Sequence, residues 1–383
     1  MQSKEIDKGP VYFAQLDGFR FLAVLAVMEC HWLGVIAPLD GFIGVNLFFV
    51  ISGFLITRIL LISKEKYGPE FLRPIRTFYW RRTLRIFPIY YLVILLLVIV
   101  SAPYARHDIY WLLTYTYNIK LAIVNAYVHT NGIWLYPHFW SLCVEEQFYL
   151  FLPALIFLFN ITNIKKMIYV LILSGVLSRV CFAFVNPTCQ LTLFTDCLDA
   201  FGFGALIGYS MLYEKEWLSK LMSKNYVFLI FSVLYTVFVI VAKLHDFKYN
   251  AIFCVLDKLL FSICAFWIVG KAALTSYTGL FKSFIENKAV VYLGKISYGI
   301  YLYHFFVGRL LSYDSLFYLY KKLDPPVFGD YLWRGLLKYC PSMYGNWLYG
   351  FCCYFVITII VASLSWHLIE LPISKLKEKY SSK

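Results

Sequence analysis

Residues 16–38 read LDGFRFLAVLAVMECHWLGVIAP, an apolar run long enough to cross a bilayer as a helix. It nevertheless carries Arg20, Glu29 and His31. Charged and titratable side chains are costly in hydrocarbon, so a set like this inside a membrane helix points to function. Arg20 and His31 are 11 positions apart, which at about 100° per residue returns the chain to within roughly 20° of the same face. Their separation along the axis is about 16 Å, roughly half the hydrocarbon thickness. One face therefore carries a fixed cation near one surface and a proton-exchanging group deeper in. Glu29 lies about 200° around from His31 and faces elsewhere.

The rest of the chain has the same character. Of its 383 residues 61% are hydrophobic and 15% charged, and the mean hydropathy is +0.68, outside the range of soluble domains. Inside lipid every backbone polar group must be satisfied within the segment, so the spans are predicted to be helical. The N-terminal stretch MQSKEIDKGPVYFAQLDG has no apolar core followed by a cleavage site, and no removable signal peptide is expected. A net charge of +13 split among short loops indicates cytoplasmic connections before an anionic ligand, and argues against a nucleic-acid partner. The 10 cysteines form no CxxC pair and no Cys/His spacing that suggests a metal site.

The dense basic run KEKYGPEFLRPIRTFYWRRTLRIFP assigns segment 63–87 to the cytoplasm as a basic loop. Two spans precede it, so the N-terminal segment 1–17 is expected on the same side. Segment 109–128 is apolar, but Asn118 and Lys120 interrupt it. If it does not cross, the later lysine clusters all become cytoplasmic. The expected fold class is then an all-α membrane bundle of about ten helices: 19–38, 42–62, 88–102, 141–159, 167–185, 193–213, 226–242, 251–270, 289–311 and 347–371. Both termini are cytoplasmic in this reading, with a basic tail at 372–383 and an outer loop at 312–346. Residues 1–383 form a single transmembrane domain.

Four further stretches could carry chemistry. In GFIGVNLFFVISGFLIT, residues 41–57, Gly44, Ser52 and Gly53 let helices approach closely, and Asn46 is a polar group near the outer end. In FYWRRTLRIFP, residues 78–88, Arg82 and Arg85 share a helix face. Topology and anionic lipid explain that face, and so does a phosphate clamp of two guanidinium forks. In PHFWSLCVEEQFYLFLP, residues 137–153, His138, Ser141 and Glu145 fall on one helix face with Glu146 adjacent. Acidic residues suit a helix N-terminus, and a carboxylate can also orient an imidazole. In LGKISYGIYLYHF, residues 293–305, Tyr298 and His304 are candidates to line the same cavity.

The ordered set LDGFR with R-x10-H, GVNLFFVISGFLIT, RRTLRIFP, HFWSLCVEEQFYL, ISYGIYLYHF and IELP resembles the membrane acyltransferase-3 family across nearly the whole chain. The resemblance implies a ten-helix O-acyltransferase of the bacterial inner (plasma) membrane. Such an enzyme moves an acyl group, typically acetyl, from cytoplasmic acyl-CoA (acetyl-CoA) to a hydroxyl of an extracytoplasmic surface glycan or glycolipid. No permanently bound cofactor or metal is implied. Carried over by position, His31 matches the family's essential histidine and Arg20 its partner. Arg82 and Arg85 match the pair associated with the donor, and Glu145 and Glu146 the two acids of VEEQF. Asn46, His138, Tyr298 and His304 are the expected substrate-binding residues.

Two positions depart from the pattern. Asn46 stands where many members have Asp, and Glu29 where they are apolar. Some members append an esterase-like domain; this chain is expected to be the stand-alone form. The resulting expectation has donor phosphates on Arg82 and Arg85, the thioester brought towards His31, and His31 oriented by Glu145 or Glu146 as base or acyl carrier. The competing class is a transporter or flippase for an anionic metabolite or lipid-linked sugar, which intramembrane Arg, His and Glu also suit. Inverted repeats and paired broken helices would mark that class.

Overall fold

A computed structural model describes residues 12–34, 41–68, 70–99, 102, 104–124, 136–185, 192–244, 251–311 and 347–375. The start of the N-terminal segment, positions 125–128, the outer stretch 312–346 and the tail beyond 375 lie outside the described residues. The first elements are α1 (Ala14–Leu33), α2 (Gly41–Tyr67), α3 (Leu72–Ile99), α4 (Ile109–Leu113) and α5 (Tyr117–Val124). Next come α6 (Phe139–Leu158), α7 (Ile161–Val185), α8 (Leu198–Tyr213), α9 (Lys215–Met222) and α10 (Asn225–Leu244). The last are α11 (Ala251–Leu274), α12 (Gly279–Ile285), α13 (Lys288–Lys295), α14 (Ser297–Leu310) and α15 (Trp347–Ser365). A π-turn at Trp366–Glu370 extends α15. No strand occurs among the described residues.

Among the described residues six helices are long and apolar enough to cross a membrane: α2, α3, α6, α7, α10 and α15, the last with its extension. The pair Val255–Leu274 and Gly279–Ile285, bent by 89°, would be a seventh. The remaining expected spans coincide with helices that are charged or short. Asp17, Arg20 and Glu29 interrupt α1, while α8 has 16 residues and α14 has 14. On the outside of the bundle, α10 turns Leu229, Val233, Val237 and Ile240 outward, as a lipid-facing helix must.

At the centre, α2 packs against α1, α6, α8 and α11. The close approaches need glycine. A Cβ at Gly44 would overlap the Ala23 carbonyl of α1, and one at Gly53 would overlap the Phe201 carbonyl of α8. The small residues of GVNLFFVISGF thus let backbones meet where apolar side chains have no hydrophobic drive to associate in lipid. Ser52, between them, has a different task described below.

A buried pair of charges ties part of the bundle together. The Arg179 guanidinium of α7 donates to both carboxylate oxygens of Asp199 at 2.7 Å each and to the Asp196 carbonyl at 2.6 Å. Both side chains are buried, so α7, α8 and the turn between them are tied by a forked, hydrogen-bonded pair.

Three local outcomes refine the sequence reading. The basic stretch expected as a loop is helical over most of its length, because α2 runs to Tyr67 and α3 begins at Leu72 and continues through Pro88. Segment 109–128 forms no single long helix among its described residues. It breaks between α4 and α5, where Tyr115 takes φ 53°, and helices of 5 and 8 residues rise only about 8 and 12 Å. Several of its polar groups are satisfied where they stand, although the buried Tyr115 hydroxyl has no hydrogen-bond partner among the described residues. Asn118 and Gln147 exchange hydrogen bonds, Gln147 also donates to the Tyr115 carbonyl at 2.8 Å, and Lys120 pairs with Asp108. The expected span 289–311 is divided at Ile296 into α13 and α14.

Gly53→Leu should cost about 1–3 kcal/mol or more by overpacking, read as a lower unfolding temperature of the purified protein. Asp199→Ala should cost about 3–5 kcal/mol by leaving Arg179 unpaired, and the double change Arg179→Met/Asp199→Leu should recover most of that loss.

Candidate active site

Three adjoining cavities run through the bundle beside α1. The first is lined by Tyr12, Asp17, Arg20, Arg85, Lys295 and Glu370. Arg20 and Arg85 also line the second, with Arg82, Glu145, Tyr298 and Tyr301. Tyr301 and Val45 in turn line the third, with Cys30, His31, Phe42 and Trp140. The shared side chains join the cavities into a series from the arginine cluster to His31. The rise of α1 between Arg20 and His31 is about 16 Å, so one helix marks both ends of the series.

At the arginine end Arg20 lies 3.7 Å from Asp17, its neighbour one turn back. The Tyr12 hydroxyl donates to the other Asp17 oxygen at 2.7 Å. Burial, followed by that carboxylate, pushes the Tyr12 hydroxyl well above its usual pKa. Arg82 lies over the Tyr149 ring at 4.6 Å and the Phe78 ring at 5.8 Å, which directs it by cation–π attraction. Among the described residues Arg82 and Arg85 form no ion pair; with Arg20 and Lys295 they line cavities that also carry the carboxylates Asp17, Glu145 and Glu370.

Glu145 lines the second cavity, and its Oε1 accepts hydrogen bonds from the Ser52 and Tyr149 hydroxyls. Ser52 therefore bridges α2 to α6. Tyr149 was detectable from its i+4 spacing to Glu145; Ser52, on another helix, was not. Glu146 is half-buried on α6 and does not line these cavities.

His31 stands exposed at the last turn of α1. Its Nδ1 lies 2.7 Å from His304 Nε2, and the two rings lie end to end and nearly coplanar, with centroids 5.0 Å apart and planes at 11°. The partner expected to orient His31 was Glu145 or Glu146. The structure instead puts His304 on its ring, because α14 packs against α1 while Glu145 is held by Ser52 and Tyr149. The Trp32 indole N–H donates to the His304 carbonyl at 3.1 Å and fastens the end of α1 to α14.

The remaining expected residues divide. Tyr298 lines the second cavity, and its hydroxyl donates to the Ile86 carbonyl at 3.4 Å. His138 is buried behind the pair, with Nε2 donating to the Leu302 carbonyl at 3.2 Å and its ring stacked on Phe305. Asn46 is buried and lines none of the three cavities. Tyr301 and Trp140, which line cavities here, were not among the expected site residues. Among the described residues no cluster of three His, Cys, Asp or Glu side chains could hold a metal ion.

Residues 13–367 match the family described as an acyltransferase domain. The chain is similar to O-acetyltransferase OatA of Staphylococcus aureus, 27% identical over 97% of this chain and 59% of that protein. It is also similar to Peptidoglycan O-acetyltransferase OatA of Listeria monocytogenes, 27% identical over 95% of this chain and 56% of that protein. It thus spans less than two thirds of the length of these relatives. No solved structure matches it.

Removing both donors to Glu145 with Ser52→Ala/Tyr149→Phe should lower stability by about 1–3 kcal/mol, more than either single change, in unfolding of the detergent-solubilised protein.

Proposed function

This chain belongs to the acyltransferase family that residues 13–367 match, and we propose that it moves an acetyl group from cytoplasmic acetyl-CoA to a glycan hydroxyl outside the bacterial plasma membrane. The observation that carries this reading is the series of cavities joining Arg20, Arg82 and Arg85 to His31. The relatives named as O-acetyltransferases, one of them of peptidoglycan, support acetyl as the group and a cell-wall glycan as the acceptor class.

In this mechanism the donor's phosphates lie at the arginine end, where guanidinium forks match phosphate oxygens. The slender pantetheine arm threads the second cavity past Glu145 and Tyr298. The thioester then reaches the third cavity, beside His31, where Phe42 and Trp140 supply aromatic lining. The His31 ring nitrogen that is not bonded to His304 takes the proton of the acceptor hydroxyl as its oxygen attacks the thioester carbonyl. Collapse of the tetrahedral intermediate breaks the carbon–sulfur bond. The proton passes to the departing sulfur, leaving an O-acetyl ester and free CoA. Acetylation by way of an acetyl group briefly carried on His31 uses the same geometry.

The full chain in nanodiscs, given acetyl-labelled acetyl-CoA and peptidoglycan fragments, should release CoA and place base-labile label on the glycan. Uptake of an anionic solute into vesicles with no CoA release would overturn the reading in favour of transport. His31→Ala should lower kcat by about 10²–10⁴-fold with the protein still folded. Arg85→Ala should raise the KM for acetyl-CoA by about 10–100-fold, the equivalent of one lost charged hydrogen bond, with a smaller effect on kcat.

A further inference from the structure

We propose that His304 is the positioning residue that makes His31 a base on one defined nitrogen, through a relay that ends on the Tyr301 carbonyl rather than on a carboxylate. The inference rests on the acyl-transfer reading for its consequence, but the relay itself is a statement about protons on two rings.

The geometry allows one assignment for a neutral pair. His304 Nδ1 lies 2.6 Å from the Tyr301 carbonyl oxygen, one turn back on α14. A carbonyl only accepts, so His304 Nδ1 carries the proton. A neutral imidazole has one ring proton, and His304 Nε2 is therefore an acceptor. His31 Nδ1, 2.7 Å away, must then be the donor. That leaves the lone pair of His31 on Nε2, the only ring nitrogen free to meet a group in the third cavity. The order is Tyr301 C=O, His304, His31, acceptor hydroxyl, with each N–H pointing back towards the carbonyl.

Three contacts hold the relay in register. Trp32, adjacent to His31 in sequence, donates to the His304 carbonyl. Its indole lies against Gly308, where a Cβ would come 2.7 Å from Nε1. Phe305 meets the His31 ring edge-on at a centroid distance of 5.3 Å. His304 itself is fully buried and lines none of the three cavities, so it acts through His31 and not on the substrate. When His31 takes a proton, its Nδ1–H becomes a charge-assisted donor to His304, the stronger class of hydrogen bond. The interaction thus tightens as the proton is transferred.

His304→Ala, His304→Gln and the unaltered full chain should be compared in nanodiscs. Glutamine can donate its amide N–H towards the Tyr301 carbonyl and offer its amide oxygen to His31 Nδ1–H, so it imitates the relay. His304→Ala should lower kcat by about 10²–10³-fold with the acetyl-CoA KM unchanged. Added imidazole should restore part of that loss, and His304→Gln should stay within about tenfold of the unaltered chain. Independently of activity, ¹⁵N–¹H long-range spectra of histidine-labelled protein, assigned with His31→Gln, should show His31 protonated on Nδ1 in the unaltered chain and in His304→Gln. In His304→Ala that preference should be lost. His31 protonated on Nε2 in the unaltered chain overturns the relay whatever the enzyme does. Full kcat in folded His304→Ala overturns its catalytic consequence. If the Nδ1–H form is found but no acetyl acceptor yields product, the relay stands and the acyl-transfer reading falls.

Discussion

Charge inside an apolar bundle must be paired, and the architecture follows from where pairing is and is not supplied. Arg179 and Asp199 meet as a fork between α7 and α8. Asp108 gathers Lys120 and the Tyr136 hydroxyl at the corner of α4 and α5. Each arrangement joins elements that have no hydrophobic reason to associate in lipid. Each also keeps a charge from standing alone in a low-dielectric setting, where the desolvation penalty is several kcal/mol. Arg82 and Arg85 differ, forming no ion pair among the described residues; with Arg20 and Lys295 they line cavities that carry the three carboxylates of Asp17, Glu145 and Glu370.

Gly44 and Gly53 are nine positions, and so about 180°, apart on α2, and they bring its backbone against α1 on one side and α8 on the other with no room for a Cβ. The spaces left within the bundle are lined by long side chains: Arg82 and Arg85 from α3, Glu145 from α6, Tyr298 and Tyr301 from α14. His31 and Glu145 are thus positioned by helices of the bundle rather than by a loop.

Much of this was legible in advance. Apolar runs separated by charged connections located the helices. The 11-residue spacing of Arg20 and His31 put both on the face that meets the cavities. The clustering of Arg82 and Arg85 marked the basic end. What failed was the choice of partner for His31. Glu145 is acidic, membrane-embedded and on a face with His138, so by chemistry alone it was the natural orienting group. His304, 273 positions from His31 in the chain, carried no comparable signal. Ser52 was read as a packing residue because its neighbours Gly44 and Gly53 are, and only the approach of α6 turned its hydroxyl to Glu145.

The sequence by itself determined that the chain is a helical membrane protein, and its ordered motifs resemble those of the acyltransferase family that residues 13–367 match. The helical membrane character resides in local composition and periodicity, set by the cost of exposing polar backbone and charge to hydrocarbon. Only the tertiary structure decided which side chains touch. Hydrogen bonds between helices depend on rotations of a few tens of degrees and shifts of an ångström or two, and these are set by packing summed over the whole bundle. His31 was visible from its own helix. The ring that holds it was not.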